Sequence, residues 1–295
     1  MHRASSRRSR RARVDDDLSV ARNIPLLNKV AYLVVGIAFG ALTVNLLTPG
    51  IKQVDLSELP PPPRIERPCS PGSGKTVVIV IHGQSNAANY GNTRYIAREA
   101  VDNFDPATGK CFAAADPLLG ADGAGGNFAT RLGDILIQSG RYDRVILAPV
   151  AVQGASLSVL NNEQIGRIDN VLGKLRSAGL TPTHFLFQQG EKDAVLTTTR
   201  AQYVSQLHQL VRRIRDAGFD APFYLSQSTK CDVADPGNVA EVRAGQRDAI
   251  DDMLNIRPGP DTDVIANDGR NPFDGCHMNE VGTLANAALW ASFVR

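Results

Sequence analysis

From Thr76 onward the sequence alternates between short β-branched runs and longer amphipathic stretches, and nothing else in the chain narrows its fold as much. Val77-Val78-Ile79-Val80-Ile81 is apolar without a break, the pattern of a strand buried on both faces. A helix is expected over 127–138, with Phe128, Leu132, Ile135 and Leu136 on one side. Further strand signals fall at 144–152, 183–187, 221–225 and 264–266, and helical ones at 165–175, 201–215, 239–254 and 280–293. In the 201–215 stretch Val204, Leu207, Val211 and Ile214 recur at helical spacing, with Gly218 as a stop signal. Such alternation builds parallel sheets covered by helices on both faces. The expected fold class is α/β: a three-layer sandwich around a mainly parallel sheet of about five strands.

Open parallel sheets place their ligands at the carboxyl ends of the strands. Gly83-Gln84-Ser85-Asn86, Gln153-Gly154-Ala155-Ser156 and Gln188-Gln189-Gly190-Glu191 each stand directly after an expected strand. A serine hydroxyl becomes a useful nucleophile only when a neighbouring base takes its proton. Asp274-Gly275-Cys276-His277, just before the final expected helix, supplies a base and an acid to orient it. Taken singly, a serine after a strand reads as a helix cap, and Asp-x-x-His is a common spacing. Their joint placement makes Ser85, His277 and Asp274 the candidate nucleophile, general base and orienting acid.

With Ala151-Val152-Gln153-Gly154-Ala155-Ser156-Leu157-Ser158 and Gln189-Gly190-Glu191-Lys192-Asp193 added, these segments resemble the sequence blocks of the SGNH hydrolase superfamily. The likeness is greatest to its sialate O-acetylesterase and acetyl xylan esterase branch and covers roughly residues 76–295. It implies a flavodoxin-like sheet and an oxyanion hole made of the Ser85 N–H, the Gly154 N–H and the Gln189 side chain. Lys192 stands where the family usually has serine. Some relatives are described with the third-block glutamate as triad acid, so Glu191 is an alternative to Asp274; the three-residue spacing to His277 favours Asp274. If it is not the acid, Glu191 is expected to order the loop that carries Gln189. The implied activity is removal of O-acetyl groups from a carbohydrate of envelope, secreted-polysaccharide, sialate or xylan type. The alternatives are a lipase or thioesterase, a polysaccharide O-acetyltransferase, and a non-catalytic glycan-binding protein. The polar stretch at 86–98 argues mildly against a long acyl chain. No cofactor is expected, and no Cys/His cluster shows metal-ligand spacing.

Upstream, Arg3, Arg7, Arg8, Arg10, Arg11 and Arg13 crowd a basic tail expected over 1–29, whereas the whole chain carries a formal charge of only +2. That balance argues against a nucleic-acid partner. Residues 30–48 form the expected membrane anchor, since no charge occurs between Lys29 and Lys52. An apolar stretch of about 20 residues spans a hydrocarbon core of roughly 30 Å, and the arginines would stay cytoplasmic. A cleaved signal is the rival reading, although Leu47-Thr48-Pro49-Gly50 makes a poor cleavage site. The expected product is a single-pass protein with a periplasmic or extracellular catalytic domain, 76–295, held off the membrane by a proline-rich spacer, 49–75. Gly72-Ser73-Gly74-Lys75-Thr76 imitates a phosphate loop, but Cys69 occupies its first glycine position and a strand follows where a helix should. Gly123-Ala124-Gly125-Gly126-Asn127 reads as a helix entry near the active-site rim, and His82, His184 and His208 as structural or surface residues. The four cysteines all lie beyond the anchor. In an oxidising compartment they allow three pairings, of which Cys231–Cys276 with Cys69–Cys111 would tether the catalytic loop; free thiols are the alternative.

Overall fold

Residues Val77 to Ile81 form the middle of a strand, β2 (Thr76–Gly83), and all of them are buried. The computed structural model describes residues 55–70, 72 and 74–295, which belong to one unit, Gln53–Arg295. The basic tail and the expected anchor lie outside the described residues, among which no helix is long and apolar enough to cross a membrane. Beside β2, the sheet contains β1 (Glu66–Arg67), β3 (Val101–Asp105), β4 (Lys110–Ala113), β5 (Arg144–Pro149), β6 (His184–Gln188), β7 (Phe223–Gln227) and β8 (Ile256–Asp261). Their order is β1-β4-β3-β5-β2-β6-β7-β8. From β3 to β8 all neighbours run parallel, while β4 and β1 add an antiparallel edge. The run β5-β2-β6-β7-β8 follows the flavodoxin-like order of doubly wound sheets.

The sheet thus has eight strands, not the five expected. The additional strands lack an apolar run because β3 buries Asp102, Asn103 and Asp105. Asp102 is tolerated there because Arg144 (2.6 Å) and Arg67 (3.3 Å) pair with it, as a buried carboxylate requires. The final parallel strand lies at Ile256–Asp261, not 264–266, where the chain makes a 3-10 turn (Thr262–Val264). Pro258 and Pro260 conceal it in the sequence, yet an edge strand accepts proline because one side of its ladder is unpaired. Residues 55–70, expected within a spacer, are part of the folded unit. β1 pairs with β4, Cys69 is bridged to Cys111, and Arg64 donates to the carbonyls of Ala115 and Pro117.

Helices α1 (Phe128–Gln138), α2 (Leu157–Asn161), α3 (Ile165–Ser177), α4 (Glu191–Val195), α5 (Arg200–Asp216), α6 (Pro236–Asp248) and α7 (Glu280–Ala291) complete the layers. Their starts are chemically marked: Thr199 and Gln202 form a capping box on α5, and Asp235 caps α6 ahead of Pro236. Alternate side chains of β2 enter opposite cores. Val78 and Val80 join Phe185, Phe187 and Phe223 against Leu175, Leu207, Val211 and Val242 of α3, α5 and α6. Val77, Ile79 and Ile81 join Val145 and Leu147 against Leu132, Leu136 and Trp290 of α1 and α7. Each such burial contributes roughly 1.5–3 kcal/mol, so the central strand anchors both layers at once. The chain passes to one side of β2 to form β5 and then to the other to form β6. The crevice at the carboxyl ends of these strands is therefore the switch point at which doubly wound sheets bind ligands.

Candidate active site

The nucleophile segment is shaped by a close approach of two strands. Gly83 has φ +132°, and a Cβ there would lie 2.0 Å from the Gln188 carbonyl oxygen. Only glycine fits. The chain then turns through a short 3-10 helix (Ser85–Ala87), with Gln84 N–H donating to the same Gln188 carbonyl at 3.1 Å. Ser85 is only 4% exposed, and among the described residues neither its hydroxyl nor its N–H is hydrogen-bonded. The Gly154 N–H is equally uncommitted. Gly154 is exposed and needs glycine for its φ of +58°, since nothing stands within 4 Å of an added Cβ. Val152 N–H donates to Gly83 O at 3.0 Å, tying the loop after β5 to the nucleophile strand. Two unpaired backbone donors therefore stand at adjoining strand ends, as an oxyanion site requires.

Asp274 and His277 form a closed local unit. Asp274 Oδ1 accepts the backbone N–H groups of Cys276 and His277, both at 2.9 Å, and Oδ2 lies 2.8 Å from His277 Nδ1. Burial raises the Asp274 carboxyl, but the hydrogen bonds from His277 and from these two N–H groups outweigh it and hold the pKa below the usual range. An ionised Asp274 fixes the tautomer with the proton on Nδ1, leaving Nε2 as the acceptor. Tyr90 stacks on the imidazole, centroid to centroid 5.2 Å. The same tyrosine lines a cavity of about 540 Å³ together with Asn89, Asn92 and the glycine-rich loop at 123–125. No hydrogen bond joins Ser85 to His277; such contacts commonly tighten only when substrate binds.

Asn86 brings the segments together. Its Nδ2 donates to Glu191 Oε1 (2.7 Å) and to the Cys276 carbonyl (3.3 Å), so the residue after Ser85 touches the residue before His277. Gln84 Oε1 accepts from the N–H groups of Gly190 (3.3 Å) and Lys192 (3.0 Å). Glu191, the alternative acid, does not reach His277. Its Oε1 is taken by Asn86 and by Ser228 Oγ (2.9 Å), and burial pushes its pKa up despite both bonds. It is a buttress under the nucleophile turn. Lys192, at the position where the resemblance leads one to expect serine, is half-buried and bonds Gln84 through its backbone.

Gln189 departs from its expected role. Its side chain is fully buried, and its amide nitrogen donates to Ala155 O (3.2 Å) and to Asp193. Both amide protons are spent on these partners, so none faces an oxyanion. Asp193 also accepts from Leu157 N–H (2.9 Å), so Gln189 and Asp193 together support the loop that carries Gly154. Both expected disulfides are formed. Cys231–Cys276 fastens the residue before His277 to the loop after β7. Arg270, which the sequence did not single out, donates to the carbonyls of Cys276 and Thr262, both at 2.8 Å. His82 is packed edge-on against Phe187 at 5.5 Å. Among the described residues no group of three or more His, Cys, Asp or Glu is placed to hold a metal ion.

No family model and no curated protein matches the sequence. Solved structures do match. A protein from Arabidopsis thaliana is 13% identical, covering 75% of this chain and 98% of its own, with a TM-score of 0.59. A putative GDSL-like lipase from Parabacteroides merdae is 15% identical, covering 76% and 99%, with a TM-score of 0.53. The chain has the SGNH-type α/β fold, with its four sequence blocks gathered at the carboxyl end of the sheet.

Proposed function

We propose that this chain is a serine esterase that removes O-acetyl groups from carbohydrate through an acyl-enzyme. The observation that carries the reading is the Asp274–His277 pair, held beside a buried, unbonded Ser85 with two free backbone N–H groups at hand. Ser85 Oγ attacks the ester carbonyl as His277 Nε2 takes its proton. The carbonyl oxygen, now negative, is met by the N–H groups of Ser85 and Gly154. His277 then protonates the leaving alkoxide, the acyl–oxygen bond breaks, and a water activated by the same imidazole hydrolyses the acetyl-Ser85 ester.

The carbohydrate reading is supported by the cavity lined by Tyr90, which stacks on His277, where Asp55, Ser57, Asn92 and backbone glycines offer partners for hydroxyl groups. Two disulfides fit an oxidising compartment, with residues 30–48 proposed as the anchor; retention in the membrane pellet after a high-salt wash tests that part. The central test is a p-nitrophenyl ester series from acetate to decanoate. Acetate should be the best substrate, and Ser85→Ala should lower kcat at least about 10⁴-fold. Preference for decanoate would indicate a lipase, and no turnover of any ester would indicate a glycan-binding protein.

A further inference from the structure

The segment ahead of β1 enters the cavity lined by Tyr90, the residue that stacks on His277. Asp55, Leu56 and Ser57 form one of its walls, and Gly123, Ala124 and Gly125 another. A single side chain joins the two. Arg94 donates through Nε to the Ala124 carbonyl (2.7 Å), and through its Nη atoms to the carbonyls of Leu56 (2.5 Å), Pro60 (2.9 Å) and Leu59 (3.2 Å). The turn itself is closed by Asp55, whose Oδ1 accepts from Ser57 N–H (2.9 Å) and Ser57 Oγ (2.7 Å). Asp55 Oδ2 carries no hydrogen bond among the described residues and is exposed.

The chemistry decides which half of an ester belongs here. The imidazole that takes the Ser85 proton must return it to the departing oxygen, so the leaving group lies on the His277 side of the scissile bond. Tyr90 stacks on that imidazole and lines this cavity. We propose that the 55–57 turn, clamped by Arg94, forms one wall of the leaving-group subsite and receives the polyol portion of an acetylated sugar, with Asp55 accepting from its hydroxyls. This rests on the esterase reading above. Arg94 acts as a positioning residue: it touches backbone only and fixes where the wall stands.

The test compares 6-O-acetylglucose, whose leaving group is a sugar with free hydroxyls, with p-nitrophenyl acetate, which has a flat aromatic one, in the full chain. Arg94→Ala should lower the ratio of kcat/KM for the sugar ester to that for the aromatic ester by about tenfold or more, through KM. Arg94→Lys, which keeps the charge but loses the fork, should fall between. Ser57→Tyr, a surface substitution that fills the cavity, should lower the same ratio even if Arg94→Ala folds poorly. A ratio within about twofold of wild type in Ser57→Tyr and in folded Arg94→Ala overturns the proposal. If the wild type cleaves p-nitrophenyl acetate but no sugar acetate, the subsite falls while the esterase reading stands. If it cleaves neither, the esterase reading falls and takes the subsite with it.

Discussion

Two segments border the candidate site, 55–70 at the start of the folded unit and 262–279 after the last strand, and both are held by a disulfide and by arginines that grip main-chain carbonyls. Cys69–Cys111 and Arg94 fasten the first. Cys231–Cys276 and Arg270 fasten the second. The difference lies in burial. Arg94 is half-exposed, whereas Arg270 is 3% exposed, in the field of Glu191, Asp263 and Asp274. Desolvation lowers the Arg270 pKa, and those carboxylates offset only part of the shift. The segment carrying the base is locked by charge inside the protein; the segment that only supplies a wall is held at the surface. A proton acceptor must be placed within tenths of an ångström, and a wall need not be.

The largest effect expected on this comparison comes from Asp274, which orients the candidate base. Asp274→Asn should cut kcat by about 10⁴-fold with little change in fold, because the imidazole loses its fixed tautomer. Glu191→Gln keeps an acceptor for Asn86 and Ser228 and should cost less than about tenfold. Steady-state kinetics on p-nitrophenyl acetate with the ranking reversed would move the acid role to Glu191.

Next comes the contrast between arginines. Arg270→Met should destabilise by about 2–5 kcal/mol, since it strips the carbonyls of Cys276 and Thr262 of a buried, charged donor. Arg94→Met, at the surface, should cost about 1–2 kcal/mol. Urea midpoints that come out equal would erase the distinction between the two segments.

The disulfides follow. Replacing either pair by alanine should cost about 2–4 kcal/mol, as each closes a loop of similar length (separations 42 and 45). Loss of Cys231–Cys276 should also lower kcat, whereas loss of Cys69–Cys111 should act on melting temperature with kcat retained.

The last effect is absent at neutral pH and emerges only on the acid side. Burial pushes His82, directly under the nucleophile turn, down to about 4. Unfolded, it titrates near 6.5, so between these values the unfolded chain binds the extra proton. Its contribution is complete above about 6.5 and is lost as pH falls toward 4, by up to about 3 kcal/mol. Asp116, raised by burial to about 7, works the other way: its protonated form is favoured in the fold, so its contribution declines as pH rises from about 4 to 7. The readout is therefore a difference: His82→Phe should flatten the acid side of the stability–pH curve relative to wild type. An unchanged slope would mean that His82 is not buried neutral.

The parts of the site that could be read in the sequence are local. Asp274 and His277 are three residues apart, and their bond forms within one turn of chain. The strand Val77–Ile81 announces itself because both its faces are apolar. What escaped depends on partners far along the chain. Gln189 looks like an oxyanion donor until Ala155 and Asp193 claim its amide. β3 looks like a loop because the arginines that neutralise Asp102 are 35 and 42 residues away. The proline-rich stretch reads as a spacer because what binds it, Arg94, recognises carbonyls, which every residue carries.

That last feature sets which positions selection can vary. Because Arg94 holds Leu56, Leu59 and Pro60 by their backbones, the identities of the side chains at these three positions are not what keeps the rim in place. Substitutions there would change the cavity wall without loosening the scaffold, while the four blocks around Ser85 and His277 depend on the side chains of Gln84, Asn86, Gln189 and Asp193 to hold one another. The fold thus separates a lip held by backbone contacts from a core of blocks held by particular side chains, and sequence variation is expected at the lip first.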